Sequence, residues 1–81
     1  MSELSQRVRN ILVETLKLDV NALPETLDAD TVAAWDSLGH MSLIARLEEE
    51  FAIGIPHNEA VELLSEENII AVLSRIIENE S

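Results

Sequence analysis

Hydrophobic residues recur at helical spacing in three long segments and one short one, and nowhere do they alternate as in a strand with one buried face. Leu4, Val8, Ile11 and Leu12 fall on one face of a first helix predicted over residues 2–18. The periodicity lapses over residues 19–36, where Asn21, Pro24, Asp28 and Asp30 favour turns and local hydrogen bonds. It returns at Ser37: Leu43, Leu47 and Phe51 stand four residues apart with Ile44 beside them, which predicts a second helix over residues 37–51. Gly54 and Pro56 then break the chain, and residues 57–64, carrying Ala60, Val61 and Leu64, predict a short third helix. Ser65 is a good N-cap for a last helix whose Ile69, Ile70, Leu73, Ile76 and Ile77 share a face. The expected fold class is all-α: a small four-helix bundle, three helices longer and one short, with a long loop between the first two. No repeat or low-complexity tract divides the chain, and residues 1–81 are read as a single domain.

Two features of this pattern point to function. Connections longer than about 12–15 residues are uncommon in compact domains and often functional, which draws attention to the end of the long loop. The second helix is also apolar over more of its circumference than one core needs. Leu43, Leu47, Phe51 and Ile44 form a compact arc, and Leu38, Met41 and Ala45 extend it to roughly twice the 100° of a core-facing stripe. Either the bundle buries this flank as well or it is left for a partner. Glu48 lies near the flank and Glu49 farther round, so an apolar strip edged with acid would suit a basic protein surface.

Composition narrows the classes. Hydrophobic residues make up 47 % of the 81, enough with regular spacing to read a folded domain despite a formal charge of −11. That charge repels phosphate backbones and anionic membranes, so nucleic acid is not an expected partner. No apolar run approaches the roughly 20 residues needed to span a bilayer, and no basic patch precedes one at the N-terminus, so a cytoplasmic protein is expected; it is also expected to be a monomer. The absence of cysteine removes disulfides, Cys-bearing zinc sites and a thiol nucleophile of the chain's own. His40 and His57 do not have zinc-ligand spacing, and no metal site is expected. Asp28 and Asp30 begin like a calcium loop, but Val32 and Ala33 stand where a further ligand and the required glycine belong. No catalytic constellation can be assembled, so the chain is expected to be a substrate of enzymes and not an enzyme.

The run Trp35-Asp36-Ser37-Leu38-Gly39-His40-Met41, followed by Leu47-Glu48-Glu49-Glu50-Phe51, resembles the phosphopantetheine attachment region of the acyl carrier protein family, stand-alone type. The order of helix, long loop, central helix, short helix and final helix fits that family over essentially the whole chain. The resemblance implies that Ser37 receives a 4′-phosphopantetheine arm from coenzyme A through a phosphopantetheinyl transferase. It implies that the arm's thiol then holds an acyl group as a thioester for acyl-loading and acyl-transfer or condensing enzymes with basic docking patches. Asp36, which would help the transferase recognise the site, is also a candidate N-cap. Leu38, Met41, Ala45, Glu48 and Glu49 are the expected partner-recognition residues. A phosphodiester on Ser37 is physically reasonable, because the first N–H groups of a helix lack intrahelical partners and the dipole there favours negative charge.

The chain departs from fatty-acid-synthase carriers at Gly39 and Ser42, positions often acidic in that group, while Arg46 adds positive charge. A specialised pathway of lipid metabolism therefore fits better than the housekeeping one, with Gly39 expected to let a partner approach the arm. Gly39 after Ser37-Leu38 also resembles D-alanyl carriers, so an aminoacyl carrier is the alternative; Ala33-Ala34 fits peptidyl carriers less well. A reading from another class is an acidic helical interaction module in which Ser37 only caps a helix. His40 falls on the core side of the second helix and is expected to be a partly buried structural residue. Trp35 is expected to anchor the loop by its ring.

Overall fold

A computed structural model describes residues 3–80, which form four helices: α1 (Glu3–Leu16), α2 (Ser37–Phe51), α3 (His57–Ala60) and α4 (Glu66–Glu80). No strand is present among the described residues, only an isolated antiparallel bridge between Asp28 and Ser65. α1 packs against both α2 and α4, and its Val8, Ile11, Leu12 and Leu16 meet Leu43 and Leu47 of α2 and Ile69 and Leu73 of α4 in one buried cluster.

α1 is shorter than the periodicity predicts. Its proposed start at Ser2 lies outside the described residues, and its end comes before Leu18 because Lys17 turns left-handed, at φ 54°. Leu18 N–H then reaches back to Val13 O at 3.0 Å, a bond of the kind that closes a helix when the residue after it is left-handed. α2 has the predicted bounds and stops in the same way: Ala52 takes φ 53°, and Ile53 N–H bonds Glu48 O at 3.1 Å. The left-handed residue is thus Ala52, not the nearby Gly54.

The third helix is a correction. It ends at Ala60 and not at Leu64, because Glu62 N–H bonds Glu59 O and Leu63 N–H bonds Ala60 O. These are the tighter three-residue turns in which side chains three apart share a face. Ala60 and Leu63 therefore enter the core, while Val61 and Leu64, the other apolar residues of the predicted helix, are 51 % and 47 % exposed. Ser65 caps α4 as expected, accepting from Asn68 N–H at 3.1 Å.

The long loop is not a slack connection. Leu27, Val32 and Trp35 are buried in the main core. Asp28 Oδ1 accepts from the N–H groups of Asp30 and Thr31 at 3.0 and 2.8 Å. Ala29 N–H bonds Leu64 O and Glu66 N–H bonds Leu27 O, which fixes the middle of the loop to the start of α4.

A two-pronged ion pair locks α1 to α4. Arg9 Nε and Nη2 donate to the two carboxylate oxygens of Glu66 at 2.9 and 2.7 Å. Donating to Glu66 raises the Arg9 pKa against the opposing effect of burial. With Glu66 only 15 % exposed, Arg9→Met is expected to lower the free energy of unfolding by about 1–2 kcal/mol. Arg9→Lys should recover less than half of that, because an ammonium has no planar fork to span both oxygens. Urea midpoints check this, and equal midpoints for the wild type and Arg9→Met would refute it.

Candidate functional site

The site is built where the long loop hands over to α2. Asp36 is extended and caps the helix, its Oδ1 accepting from Gly39 N–H at 2.8 Å while its carbonyl accepts from His40 N–H at 2.7 Å. Ser37 is thereby the first helical residue, and it is exposed. Its N–H and that of Leu38 precede the first intrahelical bond, so the hydroxyl stands at the positive end of a helix 15 residues long.

Leu38 and Met41 flank the hydroxyl and are 76 % and 69 % exposed. Ala45 is exposed on the same flank, so the wide apolar arc of α2 is not buried by a second layer. Glu49 is exposed, while Glu48 is half-buried and its Oε2 accepts from Ile55 N–H at 2.9 Å. Arg46 does not add its charge next to Ser37: it turns to Glu14 at 3.3 Å and Glu50 at 3.9 Å.

Two adjoining hollows run beside these residues. The first touches Trp35, Asp36 and Ser37 on one side and Val61 and Leu64 on the other. The second, of about 360 Å³, continues between Met41, Ile44 and Ala45 of α2 and His57, Ala60 and Val61. His40, Met41, His57 and Val61 line both, so they form one groove with a largely apolar lining leading away from Ser37. The second hollow alone is at the lower end of the size of small-molecule pockets, about 300–1,000 Å³.

Three residues position this wall. Trp35 is buried at 5 % exposure, and its indole N–H donates to His40 Nδ1 at 3.1 Å. His40 Nε2 lies 2.8 Å from Ala60 O, so the histidine is structural, as expected from its face of the helix. Gly39 has an internal reason unrelated to a partner's approach: a Cβ there would stand 2.2 Å from Ala34 O and 3.1 Å from a Leu16 methyl. No group of three or more His, Asp or Glu side chains among the described residues could hold a metal ion, and no described helix is long and apolar enough to cross a membrane.

Sequence reasoning missed the outer wall. Val61 and Leu64 were placed on a short third helix with Ala60, with no role in a groove; the spacing of Ala60 and Leu63, three apart, was the signal that this segment tightens and turns them outward.

Among known proteins, the chain is similar to the acyl carrier protein of Thermosynechococcus vestitus, at 36 % identity over 70 residues covering 85 % of each chain. The chain belongs to the acyl carrier protein family. No family model matches it. Ser37 is exposed at the start of α2, and the groove lies next to it.

Proposed function

We propose that this chain is a single carrier domain that holds an acyl group as a thioester on a 4′-phosphopantetheine arm attached to Ser37. The observation that carries the proposal is the exposed Ser37 hydroxyl at the first turn of α2, beside an apolar groove, in a member of the acyl carrier protein family. The arm supplies the thiol that a cysteine-free chain lacks. Ser37 Oγ would hold the phosphodiester, whose negative charge is favoured at a helix N-terminus. Asp36 keeps its side chain on Gly39 N–H, which fixes the first turn and the direction in which Ser37 faces solvent.

Leu38, Met41 and Ala45 form the apolar part of the docking strip, and Asp36, Glu48 and Glu49 its acidic edge. That surface suits a phosphopantetheinyl transferase and acyl-loading, acyl-transfer or condensing enzymes with basic patches. A short acyl chain would lie in the hollow of about 360 Å³ against Ile44, Ala60 and Val61. The carrier would act in the cytoplasm as a monomer, and the absence of acids at Gly39 and Ser42 favours a specialised lipid pathway.

The second reading, an aminoacyl carrier of the D-alanyl type, draws its support from Gly39 after Ser37-Leu38. The Ala34 carbonyl accounts for that glycine sterically, which weakens the signal. The two are separated by offering the arm-bearing protein a fatty acyl ligase and, in parallel, a D-alanine-activating ligase. A fatty acyl adduct that hydroxylamine removes is expected. A D-alanyl adduct alone would transfer the assignment to the second reading.

A further inference from the structure

α3 is a weak element on its own. It has four residues, and its N-cap, Pro56, makes no side-chain capping bond. Among the described residues, two side-chain hydrogen bonds join α2 to α3 and the residues just before it: His40 Nε2 to Ala60 O at 2.8 Å, and Ile55 N–H, ahead of the Pro56 cap, to Glu48 Oε2 at 2.9 Å. His40 and Glu48 are separated by two turns of α2, about 12 Å along its axis, and both border the hollow between α2 and α3. Met41, Ile44 and Ala45 lie between them. The groove is therefore stapled near Ser37 by one bond and at its far end by the other.

The His40 staple is chemically specific. An indole N–H only donates, and a backbone carbonyl only accepts. With Trp35 Nε1 donating to Nδ1, the ring must present its lone pair there and its proton at Nε2, toward Ala60 O. The neutral Nε2–H tautomer satisfies both partners at once, and it links the loop before Ser37, α2 and the α3 wall of the groove.

We propose that His40 is a positioning residue that sets the width of the groove beside Ser37 and, with Glu48 closing the far end, determines which acyl groups are sheltered. Short chains fit between the two staples, while long chains require α3 to move away. This rests on the carrier reading only for the identity of the occupant; the staple itself is a property of the chain without the arm.

The test uses the full chain as wild type, His40→Leu and His40→Gln. Without the arm, His40→Leu is expected to speed amide hydrogen exchange at Ala60 to Leu63 by roughly tenfold, as loss of one net hydrogen bond would, with α1 and α4 unchanged. His40→Gln, which keeps a donor for Ala60 O, should restore most of the protection. Acceleration spread evenly over all helices, or none at α3, would overturn the staple.

With butanoyl and dodecanoyl thioesters on the arm, hydroxylamine should cleave the butanoyl form severalfold more slowly than the dodecanoyl form in the wild type. The ratio should collapse in His40→Leu and persist in His40→Gln. An unchanged ratio in His40→Leu would overturn the role in selection. Failure of every variant to accept the arm would instead sink the Ser37 reading, and the exchange data would still decide the staple.

Discussion

Trp35→Ala is expected to cost about 3–5 kcal/mol of folding stability, the largest effect of any single side chain in this domain. Trp35 is 5 % exposed although it sits in a loop, so its removal leaves a void in the buried cluster that its neighbours cannot fill without moving. It also strips His40 Nδ1 of its donor. A domain of this length has a total stability of roughly 4–12 kcal/mol, so the variant should be near its folding threshold. Trp35→Phe keeps an aromatic ring, loses the N–H, and is expected to cost about 1–2 kcal/mol. Urea unfolding followed by circular dichroism measures both. A loss below about 1 kcal/mol for Trp35→Ala would mean that the ring is not a core element.

Gly39→Ala should destabilise the fold even though alanine is the better helix former. Propensity alone predicts a gain of up to about 1 kcal/mol. Against it stands a Cβ placed 2.2 Å from Ala34 O, a backbone atom that cannot swing aside as a side-chain tip can. The loop through Ala34 and Asp36 would have to shift, and with it the Asp36 cap on Gly39 N–H. Overpacking of this kind costs about 1–3 kcal/mol, and each kcal/mol lowers the melting temperature of a domain this size by about 4–8 °C. Gly39→Asp, which installs the acid common in fatty-acid-synthase carriers, should be worse. Gly54→Ala is the control: no atom lies within 4 Å of its Cβ and its φ is not positive, so it should be neutral or stabilise by up to about 1 kcal/mol. Equal melting temperatures for Gly39→Ala and the wild type would show that the loop yields freely.

The parts of the fold legible in the sequence were those set by local rules. α2 runs from Ser37 to Phe51 because an Asp cap precedes it and apolar residues repeat every four positions within it. Ser65 announces α4 in the same manner. The rest depends on contacts distant in sequence. Leu27 and Val32 are core residues without periodicity around them, held by the bridge between Asp28 and Ser65. That bridge also explains why α3 stops at Ala60: the chain must leave helical geometry for Leu64 O to accept from Ala29 N–H. Gly39 was legible as a departure from a family pattern but not as a packing necessity, since nothing local shows that the Ala34 carbonyl comes so near.

Ser37 as the point of attachment is the central claim, and intact mass tests it most directly. The wild type and Ser37→Ala are incubated with coenzyme A and a broad-specificity phosphopantetheinyl transferase beside a known carrier. The account predicts that the wild type gains the mass of one phosphopantetheine arm and that Ser37→Ala, folded to the same degree, gains none. No gain in the wild type while the known carrier is loaded, or an equal gain in Ser37→Ala, would contradict it.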